Sequence, residues 1–247
     1  MTDPNGRAIL FDLGDTLIDF GPIDLRAFYG HGSRRAYAYL VEQGHRVPPW
    51  PRYRRRLLRR IRLGRLRVEL TQREPDPVQW IQRFHRSIGV PLHAEEALAV
   101  CVRLFDSLGR AAVVPDGTRE TLQALTRSGY ALALLSNTCV PGVVHDAHLA
   151  DGGLIEWLPL RFYSCEMGYR KPHRRLFDAV LRRLGVSPSS AVMVGDRIDT
   201  DIEGGRRAGL TTVLKAPDGW TPRGRIRPHH VIRRLTELPE LLDPSSP

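Results

Sequence analysis

Apolar positions in this chain follow one rhythm up to about residue 20, a second to about residue 110, and a third beyond it. RAILFD, residues 7–12, is a short unbroken apolar run ending in a carboxylate. That is the pattern of a parallel strand buried on both faces, whose C-terminal end opens onto a loop. Residues 33–109 then read almost wholly as helices. SRRAYAYLVEQG stops at Gly44, placed for a left-handed C′ position. RYRRRLLRRIRLGRLR repeats Tyr53, Leu57 and Ile61 at i, i+4 and i+8. DPVQWIQRFHRSIG offers Asp76 as N-cap and Pro77 at N1, with Trp80, Ile81, Phe84 and Ile88 on one face. Glu95 to Leu108 continues the helical spacing through Leu98, Cys101, Val102 and Phe105.

After Pro115 the period alternates. TRETLQALTRSG, HRRLFDAVLRRLG and IEGGRRAG carry helical spacing, while ALALLS, AVMVGD and TTVLK are short apolar runs between them. Alternation of this kind predicts an α/β fold, a Rossmann-like parallel sheet with helices on both faces. The first strand has nothing else to pair with, so it joins the same sheet across the helical insert. The expected division is a core of residues 1–20 and 112–247 with an inserted α-helical domain at 21–111.

Composition narrows the class. With 247 residues, 42% of them hydrophobic, the chain can bury one sizeable core and a smaller accessory one. The opening MTDPNGRAILFD lacks a charged region followed by an apolar one, and no apolar run reaches the roughly 18 residues a bilayer requires. The expectation is a cytoplasmic protein with no membrane association, a monomer or a homodimer. Cys101, Cys139 and Cys165 are odd in number and widely spaced, which predicts buried thiols rather than disulfides or zinc.

The net charge of +10 is local: nine arginines and no acid lie between Arg52 and Arg67, and without them it falls to +1. Such a run is either a solvated helix face or a surface for a phosphate-bearing substrate or partner. No nucleic-acid motif or aromatic ladder accompanies it, so no specific nucleic-acid reading is expected.

Ligands of open α/β sheets bind at the carboxyl ends of the strands. Asp12 stands there after the first strand, Ser136 and Asn137 after the second, and Asp196 after AVMVG, with Asp201 following and Lys171 in the loop RKPH. A carboxylate that attacks phosphorus needs its charge offset. Mg²⁺ held by further carboxylates does this while polarising the phosphoryl oxygens. A hydroxyl or amide and a fixed cation would bind the remaining oxygens. Lysine is scarce, supplying two of the 37 Lys and Arg residues, at 171 and 215. A compact ammonium kept at 171 by a chain that otherwise uses arginine marks a position needing a point charge.

In order, FDLGDTL, LLSNT, GYRKP and VGDRIDTD resemble the four motifs of the haloacid dehalogenase superfamily, dominated by Mg²⁺-dependent phosphatases. The resemblance covers roughly 7–20 and 112–240, and the intervening helices are similar to the family's C1 cap. It implies that Asp12 is the nucleophile forming an aspartyl-phosphate, and that Ser136 binds the phosphoryl group. Asn137 joins Ser136 or only orients the loop. Lys171 would offset the charge of Asp12 and the phosphate. Mg²⁺ would be held by Asp12, the Gly14 carbonyl, Asp196 and Asp201, directly or through water; the other reading of Asp201 is a cap for a helix starting near Thr200.

The sequence departs from the family at Gly14, where the phosphatases usually carry a second aspartate that protonates the leaving group and then activates water. General acid–base assistance contributes roughly 10²–10⁴-fold, so esters with poor leaving groups would suffer most from its loss. The expected function is therefore a Mg²⁺-dependent phosphatase acting on a small, anionic phosphorylated metabolite and favouring activated leaving groups. The second reading is a low-activity or inactive phosphate-binding regulatory protein. The third is a haloacid dehalogenase, which would have no use for the acid pair Asp196 and Asp201.

Overall fold

The strands β1 (Arg7–Phe11), β2 (Tyr130–Ser136), β3 (Leu160–Tyr163), β4 (Ala191–Gly195), β5 (Thr211–Lys215) and β6 (His230–Ile232) form one sheet in the order β3-β2-β1-β4-β5-β6. All neighbouring strands are parallel. This is the architecture of a computed structural model that describes residues 6–22, 24–105, 108, 112–218, 220–221 and 224–243. The alternating side-chain directions of a strand explain why RAILF is apolar throughout. Ile9 and Phe11 enter the core on one face, and Ala8 and Leu10 enter the core on the other. Each fully buried side chain of that size contributes about 1.5–3 kcal/mol, so a charge at Leu10 would break the sheet's centre.

Between β1 and β2 run α1 (Leu25–Glu42), α2 (Trp50–Thr71), α3 (Pro77–Ser87), α4 (Ala94–Phe105) and α5 (Thr118–Arg127). After β2 come α6 (Gly142–Asp151), α7 (Ser164–Met167), α8 (Arg174–Leu184), α9 (Glu203–Ala208) and α10 (Leu238–Leu241). Leu122 and Leu125 of α5, Leu149 of α6 and Leu238 of α10 pack on one face of the sheet. Leu176, Phe177 and Val180 of α8, with Ala208 of α9, cover the other. The α/β class is thus a parallel sheet with helices on both faces.

Helices α1 to α4 build an apolar cluster of their own, around Leu40, Tyr53, Leu57, Phe84 and Leu104, joined by Val140 and Val144 from beyond β2. Asp76 caps α3 as expected, accepting from Gln79 N at 2.8 Å. Helix α1 begins at Leu25 rather than near Ser33, capped by Asp24, which accepts from Arg26 N at 2.9 Å. Gly30 and Gly32 disguised that first half. Gly32 is there because a Cβ would lie 2.0 Å from the Leu104 carbonyl oxygen, where α1 crosses α4. Helix α4 ends at Phe105; residues 106 and 107 of the expected helix, and 109–111 at the expected boundary, lie outside the described residues.

Helices α6, α7 and α10, strands β3 and β6, and a π-helical turn were not read from the sequence. Strand β3 has only its last two residues buried, β6 is three residues long, and both are too short for a period to show. Ile198–Ile202 forms a π-helical turn before α9. Cys101 and Cys165 are buried as expected, whereas Cys139 is exposed and borders the cleft. Among the described residues no helix is long and apolar enough to cross a membrane.

Candidate active site

Asp12 follows β1, Ser136 ends β2 and Asp196 follows β4. These are three adjacent strands at the point where the chain's connections diverge to the two sides of the sheet, the crevice in which open α/β sheets hold ligands. Asp12 N continues the ladder by donating to Val194 O at 2.9 Å, which fixes the start of the loop against β4. Lys171 reaches in from the segment between α7 and α8, and Asp201 from the π-helical turn. The expected site residues are therefore brought to one end of the sheet.

The ammonium of Lys171 is buried, with its side chain 1% exposed. Its Nζ donates to Asp12 Oδ1 and to Leu135 O, both at 2.6 Å, and lies 2.8 Å from Asp201 Oδ1. Three acceptors match the three N–H bonds of an ammonium. Burial works to lower its pKa, but Asp12 and Asp201 outweigh burial and the net shift is upward, so Lys171 stays charged. Asn137 fixes its backbone from both sides: Nδ2 donates to Lys171 O at 2.9 Å, and Lys171 N donates to Oδ1 at 2.7 Å. Of the two roles expected for Asn137, this geometry is that of loop orientation.

Asp12, Asp196 and Asp201 each offer a carboxylate oxygen within 4.8 Å of the others. Asp201 is fully buried and held at both oxygens, Oδ1 by Lys171 and Oδ2 by Arg197 N at 3.1 Å. It does not cap α9, whose N-cap is Ile202 with no side-chain hydrogen bond. Gly195 makes this possible, because a Cβ there would lie 2.3 Å from Asp201 Oδ2. The Asp196 carboxyl is pushed up to about 7, first by burial and then by the negative charges of Asp12 and Asp201. Burial also raises Asp201, against the opposing pull of Lys171. Hard oxygen donors that crowd negative charge in a half-dry site suit a divalent cation such as Mg²⁺, which relieves the repulsion it binds to.

These groups open into a cleft of about 1080 Å³, walled on the far side by α1, α2, α3 and α4. Helix α2 presents Ile61, Gly64, Arg65 and Val68 to it, the same face that buries Tyr53 and Leu57. Of the nine arginines between Arg52 and Arg67, only Arg65 lines the cleft among the described residues. The run is thus mainly a solvated face. Glu74, just beyond α2, is buried in the cleft wall, with burial raising its pKa and Arg170 Nε 3.8 Å away. Glu74 N donates to Gly168 O at 3.3 Å and Arg170 N to Gln72 O at 3.0 Å, so the helical insert is stitched to the segment that carries Lys171.

Two features escaped sequence reasoning. No pattern singles out Glu74. Lys215 had a signal, since it is the second of the two lysines: its Nζ donates to Asp15 O at 2.8 Å and Thr16 O at 3.1 Å. At Gly14 the space beside the backbone faces Phe20, whose Cδ2 would lie 3.7 Å from an added Cβ.

A phosphoserine phosphatase of Thermus thermophilus is 36% identical over 134 residues, 54% of this chain and 50% of that protein. The chain spans about half the length of the first curated relatives it matches. The 5-amino-6-(5-phospho-D-ribitylamino)uracil phosphatase YigB of Escherichia coli is 27% identical over 97% of this chain and 98% of its own. The HAD-hydrolase YfnB of Bacillus subtilis, solved with magnesium bound, superposes with a TM-score of 0.60 at 23% identity, covering 96% of this chain and 99% of that one, and shares the fold. Residues 7–209 match the haloacid dehalogenase-like hydrolases as a family, and the chain belongs to it.

Proposed function

We propose that this protein is a Mg²⁺-dependent phosphatase that transfers the phosphoryl group of a small phosphorylated metabolite to Asp12 and releases it to water. The observation that carries this reading is the Asp12–Lys171–Asp201 arrangement at the edge of a three-carboxylate cluster. With Oδ1 held by Lys171, the second oxygen of Asp12 is left to attack phosphorus. Ser136 would hold a phosphoryl oxygen at the end of β2. Asn137 keeps Lys171 aimed through both hydrogen bonds to its backbone. Asp12, Asp196 and the Gly14 carbonyl would hold Mg²⁺ directly, and Asp201, with both oxygens engaged, through water. Bound there, the ion offsets the charge of the nucleophile and the phosphoryl oxygens.

The helical insert, residues 21–111, serves as a cap whose α2 face closes the cleft over the substrate. The phosphatases named among the relatives support a small phosphorylated substrate. Phe20 rather than a carboxyl borders the backbone of Gly14, so the leaving group gets no proton from this position. Acyl and aryl phosphates, whose leaving groups need little protonation, are therefore favoured over alkyl esters. The test is hydrolysis of nitrophenyl phosphate with and without Mg²⁺, by the wild type and by Asp12→Asn. The expected outcome is turnover that needs Mg²⁺ and falls to background in the variant, with the fold intact by circular dichroism. Wild-type turnover in Asp12→Asn would rule out the covalent route.

A further inference from the structure

We propose that Lys215 is a positioning residue, tying down the turn after the nucleophile so that the Gly14 carbonyl stays presented to the metal. This rests on the reading of Gly14 as a metal ligand. Lys215 ends β5, two strands away from β1, and its ammonium reaches past β4 to the carbonyls of Asp15 and Thr16 at 2.8 and 3.1 Å. Both contacts are to backbone, across about 200 positions of sequence.

The turn needs such a restraint. Gly14 has no side chain to anchor it and more backbone freedom than any other residue type. Asp15 adopts φ 54°, in the left-handed region that costs most non-glycine residues free energy, though aspartate less than others, so contacts that hold this turn matter. The turn's own hydrogen bonds run from Asp15 N to Ile18 O, and from Leu17 N and Ile18 N to Leu13 O. They leave the carbonyls of 15 and 16 to Lys215. A single tetrahedral nitrogen can serve two consecutive carbonyls, whereas a guanidinium spreads its donors over a plane. That accounts for a lysine here in a chain that otherwise uses arginine, and both of its lysines contact the segment that follows β1, Lys171 at Asp12 and Lys215 at Asp15 and Thr16.

The variants Lys215→Met, Lys215→Gln and Lys215→Arg test this in two ways. Without metal, amide exchange of Leu17 and Ile18 should quicken at least tenfold in Lys215→Met. By calorimetry its Mg²⁺ dissociation constant should rise at least tenfold, while KM at saturating Mg²⁺ stays within twofold. Lys215→Gln keeps a neutral amide donor without the charge and should fall between, which secures the comparison if the Met variant folds poorly. Lys215→Arg should recover part of the loss. Amide protection and Mg²⁺ affinity within twofold of wild type in Lys215→Met would overturn the proposal, as would faster exchange with unchanged Mg²⁺ affinity. Failure of the wild type itself to bind Mg²⁺ would overturn the phosphatase reading and this inference together.

Discussion

At Gly14 the absence of a side chain bears on which leaving groups the proposed reaction favours. Its φ is not in the left-handed region, and an added Cβ would meet only Phe20, at 3.7 and 3.9 Å. A non-glycine residue is therefore accommodated, and Gly14→Asp should fold. The added carboxyl would stand close to the leaving oxygen once the Phe20 ring yields. Turnover of alkyl phosphates should rise by up to about 10²-fold, near the lower end of what acid–base assistance contributes, and that of nitrophenyl phosphate by much less. Steady-state rates on both substrate classes measure the difference. Equal or lower alkyl turnover in a folded variant would mean that proton transfer is already supplied elsewhere. Asp12, Lys171, Asp196 and Asp201 were legible in the sequence because strand ends and ordered motifs mark them. Glu74 was not, and Lys215 carried only the signal of lysine's scarcity, since each makes its contacts between segments far apart in the chain.

Elements explain what the period shows and what it hides. The apolar seam Tyr53, Leu57 and Ile61 identified α2, but not the polar pair that seam buries against α3. His85 Nδ1 lies 2.9 Å from Ile81 O and must donate to it, so in the neutral ring Nε2 accepts from Tyr53 OH at 3.2 Å. Burial lowers the His85 pKa from 6.5 to about 4, opposed by the Ile81 carbonyl and reinforced by nearby His45. The unfolded chain then binds a proton at higher pH than the folded one. Stability from this site is complete above pH 6.5, falls as pH drops, and is lost by about pH 4. The loss is at most about 3 kcal/mol. Urea unfolding at pH 7 and pH 4 should show wild type losing more stability than His85→Gln across that window. His145, lowered to about 4 by burial, contributes equally to both proteins and cancels. Equal losses would show that the Tyr53–His85 pair opens before it titrates. The short strands β3 and β6 and the π-helical turn stayed hidden for a different reason: they are made by neighbours in the sheet and by Asp201 folding back on Gly195, not by any repeat.

For the whole molecule, the question is how a charge of +10 is distributed around one cleft. The apolar face of α2 turns towards the insert's core and the cleft, so helical geometry sends most of the arginine run the other way, into solvent. Arg65 is the exception, one turn beyond Ile61 on the inward face. Charges facing bulk solvent act on a bound substrate only within a Debye length, about 8 Å at physiological salt, while one lining the cleft acts at contact. Charge reversal of Arg55, Arg59, Arg62 and Arg67 together changes the net charge by −8, to +2. It should leave KM for a phosphorylated substrate within twofold at 0.15 M salt, while greatly weakening nonspecific binding to duplex DNA. The single variant Arg65→Glu should raise KM several-fold, and more for substrates bearing a second anionic group. Measuring KM for both variants from low to physiological salt separates contact from long-range attraction. A larger rise from the fourfold variant than from Arg65→Glu at 0.15 M would mean that the solvated face, and not the inward one, gathers the substrate.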